Sequence, residues 1–316
     1  MIEIDFAAAH RLASVGSLVG PLRRVFASRA VSPERAHYDL PGPNPARRLL
    51  LMPSWRAERG SDGDAGGIGV KIVTVFPENG TRGLPSVNGA YLLLSGLTGE
   101  PRGWIDGRAL TLLRTAAVSA LAADLLAPAN PEQLLMVGTG ALSRYLIEGH
   151  LAVRNYASVL VWGRDSRKAA AVAEELRARD WPITVADDLE AAARSATVIS
   201  CATLADKPLI QGRWLRSGTH LDLVGSFRPD MREADDACLT GAFITVDTPS
   251  ALRESGDLAD PLARGAIAAQ DIATLGDVIA AAPGSPRRRT VFKSVGVAHA
   301  DLAVAEELCA RHSLGA

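Results

Sequence analysis

The stretch QLLMVGTGALS, Gln133 to Ser143, decides how the rest of the chain is read. Its apolar run QLLMV at 133–137 has the length of a strand and leads directly into Gly138-Thr139-Gly140-Ala141-Leu142-Ser143. Glycines at the first and third positions of that turn permit a tight bend and a close backbone approach to a pyrophosphate. The helix expected next offers free N–H groups and a positive dipole end to the same anion. Ser143 replaces the third glycine of the fingerprint and is still small enough for helix–strand packing. The alternative is a strand–helix turn with a purely structural purpose. Context favours the cofactor: a strand precedes, a helix follows, and a βαβ series begins here.

Outward from this turn the same rhythm continues. SVLVW at 158–162 reads as a strand and is followed by a helix from Ser166; ITVA, TVISCA, THLDLV and AFITVD are further strands, with helical stretches between most of them to about residue 280. Such alternation implies a parallel sheet with helices on both faces. PGSPRRR at 283–289 reads as a loop, and TVFKSVG as a last strand before a C-terminal helix. Upstream, LTLLRTAAVSALAADLLA at 110–127 is rich in helix formers and ends at Pro128. The first hundred residues read differently. A short strand precedes a helix with Leu18, Val19, Leu22, Val25 and Phe26 at helical spacing. Then come a turn, DLPGPNPA at 39–46, a strand, LLLMP at 49–53, a hairpin loop, GSDGDAGG at 60–67, and the strands GVKIVTVFP at 69–77 and SVNGAYLLLS at 86–95. These close-spaced runs imply a mostly antiparallel sheet.

Composition bounds the function. The 316 residues suggest two domains at about 150 residues each. With 47% hydrophobic and 22% charged residues the chain can bury an ordinary core. A net charge of -1 gives no electrostatic attraction to nucleic acid or to an anionic membrane. Cys201, Cys238 and Cys309 are far apart, which speaks against a disulfide framework or a zinc site. The start, MIEIDFAAAHRL, is no signal peptide, and no apolar run reaches the roughly 18 residues of a membrane span. The expected location is the reducing cytoplasm, with no membrane partner. His10, His37, His150, His220, His299 and His312 show no metal-ligand spacing, and most read as surface or helix-end residues. His299 alone is placed near a site, with core packing as the equal alternative.

The end of the second strand of the series chooses between cofactors. An NAD site usually carries an acid there to hold the ribose 2′-OH. This chain has Trp162-Gly163-Arg164-Asp165-Ser166-Arg167-Lys168. Arg164 can grip a 2′-phosphate through two charge-assisted bonds, so NADPH is expected over NADH. Arg167 and Lys168 also fit solvated residues of a helix start, and Asp165 retains a route to the ribose.

LLLMPSW, GVKIVTVFPENGTRGLPSVNGAYLLLSGLTGEP, ALTLLRTAAVSALAA, MVGTGALS, HLDLVGS and VFKSVGVAHAD together resemble the ornithine cyclodeaminase / mu-crystallin family along nearly the whole chain. The resemblance implies an α/β protein in which a Rossmann domain, 119–289, is inserted into an α+β substrate-binding and dimerisation domain, 1–118 plus 290–316. It implies a homodimer. The family includes ornithine cyclodeaminases, alanine dehydrogenases, cyclic ketimine reductases and crystallins, so its name does not fix the reaction.

By the same resemblance Arg35, Lys71 and Arg114 surround a substrate carboxylate, and Ser86 and Thr115 contact substrate or cofactor. The chemistry is sound on its own terms, since guanidinium groups hold a carboxylate in fixed geometry and pin its α-carbon near the nicotinamide. Each has a plainer alternative: a surface ion pair for Arg35, which Arg47 or Arg48 can replace, a solvent-facing strand lysine for Lys71, and backbone capping for the hydroxyls. Arg114 lies amid Leu112, Leu113, Ala116 and Ala117, where a charge needs a partner. Around the cofactor the expected residues are Gly138, Thr139, Gly140, Ala141, Leu142, Arg164, Cys201, Ala202, Thr203, Val224, Gly225 and Ser226, with Cys201 acting as a small apolar packer.

Departures from the cyclodeaminase pattern narrow the substrate. Its aspartate for a distal amine is matched by Phe227, and a glutamate near LMP by Leu50. An ammonium beside two apolar side chains loses hydration without gaining a counter-charge. A small cyclic imino acid fits better: Δ1-pyrroline-2-carboxylate or Δ1-piperideine-2-carboxylate, reduced to L-proline or L-pipecolate. Phe227 then lines the substrate pocket, and Ser86 or water is the candidate proton donor. Two rivals stand. One is another enzyme of the same family, an alanine dehydrogenase or a cyclodeaminase, the latter revived if a loop shift lets Asp230 replace the missing aspartate; the other is a crystallin-like protein that binds NADPH without turnover.

Overall fold

The computed structural model describes residues 1–42, 44, 47–56, 66–179, 181–281 and 288–315. Most of the expected hairpin loop at 60–67, part of the turn at 39–46 and most of the loop at 283–289 lie outside the described residues. The chain forms two compact units, Met1–Thr115 with Val297–Ala316, and Ala116–Gly296.

The first unit is a seven-stranded sheet. Its strands are β1 (Ile2–Ile4), β2 (Ala30–Val31), β3 (Ala36–Asp39), β4 (Arg48–Arg56), β5 (Gly67–Val75), β6 (Val87–Ser95) and β7 (Pro101–Asp106). All neighbours are antiparallel except β1, which runs parallel to β7. Alternation in β5 buries Gly67, Gly69, Lys71 and Val73 and leaves Ile68, Val70 and Ile72 half-buried on the opposite face. The buried face packs against α11 (Ala298–Ser313). Leu302, Ala305 and Leu308 of α11 are buried, and each such Leu contributes roughly 1.5–3 kcal/mol. Of the expected N-terminal helix, α2 (Val19–Ala27) buries Leu22, Val25 and Phe26 and packs on α11. A second helix, α1 (Phe6–Leu12), went unread; Asp5 caps it by accepting the Ala8 N–H at 2.6 Å. Strands β2 and β3 also went unread, being too short to show a period and held only by pairing to β4.

Helix α3 (Gly107–Leu126) carries the LRTAA segment. It corrects one expectation, because by length and apolarity it could cross a membrane, with mean hydropathy 1.5. Its most apolar window is 89% buried within the protein, the environment of a core helix.

The second unit is the doubly wound, Rossmann-type domain. Its eight-stranded sheet has the order β10-β9-β8-β11-β12-β15-β13-β14 and is parallel throughout. The strands are β8 (Gln133–Val137), β9 (Ser158–Trp162), β10 (Ile183–Val185), β11 (Val198–Cys201), β12 (His220–Leu223), β13 (Phe243–Val246), β14 (Ile272–Thr274) and β15 (Thr290–Lys293). Helices alternate with them, notably α4 (Ser143–Val153) and α5 (Ser166–Arg177). One boundary differs from the sequence reading. Residues 290–296, assigned there to the outer domain, belong here, because β15 inserts between β12 and β13 with all four residues buried. A fully buried TVFK run looks alike in either sheet, so only the pairing tells them apart.

Candidate functional site

Lys71 and Arg114 come together in the first unit on one carboxylate, Asp301. Lys71 points from the buried face of β5, opposite Met52 of β4 and Tyr91 of β6. Its Nζ donates to Asp301 Oδ1 at 2.9 Å and lies 3.5 Å from Thr111 Oγ1. Arg114 Nε lies 3.1 Å from the same Asp301 oxygen, an ionic contact without the alignment of a hydrogen bond. Burial pushes the Lys71 ammonium down to about 8; Asp301 opposes this, and the cations of Arg114 and Arg35 add to it. Arg114 was expected to need a partner, and the one the fold provides is Asp301 rather than a ligand alone.

Arg35 precedes β3, whose register pairs Ala36 with Leu51. Continued by one residue, that register puts Arg35 in the row of Met52 and Lys71. Its half-buried side chain therefore belongs to the same cationic neighbourhood. Its two proposed substitutes are otherwise engaged: Arg47 with Glu78, and Arg48 with Asp39 at 2.8 Å. Leu50 pairs with Val73, two residues along from Met52 and so on the Lys71 face. That face carries an apolar side chain where a diamine site needs an acid. Ser86 stands apart from this cluster. It precedes β6 by one residue and sits five residues from Tyr91, about 16 Å at strand rise, with its hydroxyl turned to Pro77 O at 3.5 Å. It is not part of the Lys71 cluster.

Two groups of this neighbourhood escaped the sequence reading, Asp301 and Tyr91. Both sit on the buried side of the unit at 0% exposure, and neither Asp301 Oδ2 nor the Tyr91 hydroxyl has a hydrogen-bond partner among the described residues. The Tyr91 hydroxyl fills the space that a side chain at Gly69 would need. His299, one turn-step before Asp301, has its Nδ1 3.1 Å from Ser32 Oγ and its ring edge-on to Phe26 at 4.6 Å. Burial lowers its pKa to about 4, so it is neutral.

In the second unit the glycine turn has the form a dinucleotide needs. Gly138 has φ +125, and a Cβ there would lie 2.5 Å from Ala202 O, so the turn and its approach to β11 require glycine. Gly140 has no atom within 4 Å of where its Cβ would be, which leaves room for a ligand against the backbone. Ser143 Oγ donates to Gly138 O at 2.9 Å, and α4 starts without a side-chain cap. Open space at Gly140 and an uncapped helix start fit a pyrophosphate. At the end of β9, a Cβ on Gly163 would lie 2.6 Å from Thr139 Cγ2, so the two loops interlock. Arg164 is exposed and has no ion-pair partner among the described residues. Asp165 caps α5 at the Arg167 N–H, 3.0 Å away, and its carboxylate also takes the Arg167 side chain. Its oxygens are thus committed.

The loops after β11 and β12 are built around a third residue the sequence reading missed. Glu233 accepts from Thr203 N at 2.7 Å, Thr203 Oγ1 at 2.9 Å, Gly225 N at 2.7 Å and Ser226 N at 3.3 Å. Burial, helped by the neighbouring Asp257 charge, raises the Glu233 carboxyl to about 7 against the Lys293 cation and the two Thr203 donors. Several expected cofactor contacts are narrowed by this. Cys201 is fully buried in the apolar core, where burial pushes its thiol well up, and its carbonyl accepts the Val224 N–H at 2.9 Å, so it packs rather than reacts. Ser226 Oγ is held by Met231 O and Ser255 Oγ, each at 2.7 Å. Phe227 is 47% exposed, with the Arg228 guanidinium 5.9 Å from its ring centre. Asp230 pairs with Arg228 at 2.9 Å and its side chain is 71% exposed, a surface ion pair rather than a buried amine site.

Two of the histidines are core residues, and one of them, His150, also lies in the last turn of α4. His150 and His220 are fully buried. His150 Nε2 lies 3.3 Å from Asp222, which also accepts from Ser119 at 3.0 Å and Ser200 at 2.7 Å.

The ornithine cyclodeaminase/mu-crystallin family model matches residues 14–313. The Δ1-pyrroline-2-carboxylate reductase of Paracoccus denitrificans is 40% identical over 247 residues, covering 76% of this chain and 78% of its own. Protein SAR DEFICIENT 4 of Arabidopsis thaliana is 38% identical over 290 residues, covering 88% and 86%. The structure of Δ1-pyrroline-2-carboxylate reductase from Thermococcus litoralis, in complex with NADH and L-proline, matches with TM-score 0.91 and 29% identity over 100% of this chain and 98% of that one. The chain belongs to the ornithine cyclodeaminase/mu-crystallin family.

Proposed function

We propose that this protein is a nicotinamide-dependent reductase of cyclic ketimine acids, converting Δ1-pyrroline-2-carboxylate to L-proline and Δ1-piperideine-2-carboxylate to L-pipecolate. The observation that carries this reading is the buried pairing of Lys71 and Arg114 on one carboxylate, beside apolar Leu50. Lys71 and Arg114 against Asp301 leave one positive charge, to which Arg35 adds a second, and an anionic substrate carboxylate complements this excess. Among the described residues the one carboxylate of this cluster, Asp301, is already engaged by Lys71 and Arg114, so a second, distal ammonium would have to compete with both cations for it. The reductases of Paracoccus denitrificans and Thermococcus litoralis support the same substrate class.

Arg35, Lys71 and Arg114 hold the carboxylate and so orient the imine carbon. Because the ring nitrogen of a ketimine can arrive already protonated, no strong protein acid is essential, and these residues bind and orient. When bound, the dinucleotide supplies the hydride. The turn Gly138–Leu142 and the start of α4 hold its pyrophosphate, the loops at Thr203 and Gly225 border it, and Arg164 takes a 2′-phosphate, which favours NADPH.

The outer face of the first unit's sheet carries Leu51, Pro53, Val70, Ile72 and Leu92, with Trp55 37% and Trp104 40% exposed. A contiguous apolar face of this kind calls for a cover, and we assign it to a second copy of the chain.

The test is a mixture of purified protein, Δ1-pyrroline-2-carboxylate and either NADPH or NADH. Loss of reduced-nicotinamide absorbance, faster with NADPH and no longer so in Arg164→Ala, is expected. NADPH bound without turnover of either ketimine would point to the crystallin-like role instead.

A further inference from the structure

Asp301 has no place in the clamp as described from the substrate's side, yet both buried cations converge on it. We propose that Asp301 is the positioning residue of this clamp: it fixes Lys71 and Arg114 side by side and cancels one of their charges, so that the pair offers a single positive charge and the free end of the Arg114 guanidinium to an α-carboxylate. This rests on the reading of Lys71 and Arg114 as the substrate clamp.

Geometry assigns the role. One oxygen, Asp301 Oδ1, meets Lys71 Nζ at 2.9 Å and Arg114 Nε at 3.1 Å. The Arg114 η nitrogens have no hydrogen bond to any described residue, and they form the fork that grips a carboxylate in two places. Asp301 is 0% exposed, against 2% for Lys71 and 7% for Arg114, so it lies behind the cations and acts through them. Removing one partner of a buried ion cluster leaves the other charges uncompensated, and that asymmetry makes the carboxylate necessary.

Among the described residues around Lys71, no other group does this work. Arg114 on α3 and Arg35 before β3 both disfavour its ammonium. Tyr91 on β6 is neutral, its hydroxyl pushed well up by burial, and His299 on α11 is neutral, pushed down to about 4. Glu306, further along α11, is engaged by Arg56 and by Gly67 N, each at 2.7 Å. Without the Asp301 charge, burial and two neighbouring cations act on Lys71 unopposed, and it loses its proton at lower pH.

The experiment is calorimetric titration of the full-length protein with pyrrole-2-carboxylate, a planar acid that cannot be reduced, from roughly pH 6 to pH 9. In the wild type, affinity is expected to fall above about pH 8, as Lys71 deprotonates. In Asp301→Asn, affinity at neutral pH is expected to drop at least about tenfold and the alkaline limb to move at least about one pH unit to acid, with NADPH affinity within about twofold. An unchanged limb and unchanged affinity would overturn the proposal. Should Asp301→Asn not fold, Asp301→Glu decides. The kept charge should hold the alkaline limb in place, while the displaced oxygens weaken binding about tenfold. Wild-type affinity in folded Asp301→Glu would contradict positioning by Asp301. Wild-type protein that binds pyrrole-2-carboxylate but reduces no ketimine removes the functional reading and leaves the clamp intact. Wild-type protein that binds no such acid removes the clamp and the role of Asp301 with it.

Discussion

Glu233 accepts the Gly225 N–H at 2.7 Å through one carboxylate oxygen, and its other oxygen holds the Thr203 N–H at the same distance. One buried side chain thus joins the loops that leave β11 and β12, which are the loops expected to border the dinucleotide. In Glu233→Gln an amide NH2 must face one of these sets of donors. A loss of about 1–3 kcal/mol in urea unfolding is expected, together with weaker NADPH binding. Unchanged values for both would remove Glu233 as the organiser of these loops.

Two glycines of one turn should behave differently. Gly138→Ala places a Cβ 2.5 Å from Ala202 O at φ +125, and should cost about 1–3 kcal/mol of stability. Gly140→Ala meets nothing within 4 Å in the protein and should unfold like the wild type. Its Cβ instead occupies the space left for the pyrophosphate, so its NADPH affinity should fall at least about tenfold. Thermal unfolding and equilibrium binding of both variants check this.

Acid stability should depend on His220. The ring is fully buried, and burial holds it neutral with a pKa near 3, against about 6.5 in an unfolded chain. The unfolded state therefore takes up a proton that the folded state refuses below about pH 6.5. Stability from this group is complete above that pH and is lost as pH falls toward 3. His220→Asn, which can still bond Thr290, should reduce the stability lost between pH 7 and pH 5 by about 2 kcal/mol. Urea titrations at the two pH values measure it; equal losses in both proteins would rule His220 out.

Arg114→Ala leaves the Lys71–Asp301 pair and removes the guanidinium fork. KM for the imino acid should rise about a hundredfold while the NADPH dissociation constant changes less than about threefold. Steady-state kinetics identical to the wild type would take Arg114 out of the mechanism.

Much of the second unit was legible because its signals are local. A strand running into Gly138-Thr139-Gly140 and a helix after it occupy one short window, and the structure has that order. The first unit's site was legible only in part. Lys71 stands out in a β-branched strand and Arg114 in an apolar helix, but their common partner lies 230 residues from Lys71, in the helix after the Rossmann-type domain. No periodicity links such residues; the sheet and α11 do. Glu233 escaped for a similar reason, since a carboxylate in a loop reads as solvated until its four donors are seen. Ser86, expected from the matching segment to contact substrate or cofactor, lies five residues along the strand from Tyr91 and outside the Lys71 cluster.

The central claim is that the clamp receives a cyclic imino acid and that a hydride, rather than elimination of ammonia, follows. The direct measurement gives purified protein Δ1-pyrroline-2-carboxylate with NADPH, and in parallel L-ornithine with NAD, and quantifies products by chiral chromatography and an ammonia assay. The expected result is one L-proline formed per NADPH oxidised and no ammonia from ornithine. Ammonia released from ornithine without net change in the nicotinamide, and no proline from the ketimine, would contradict the account.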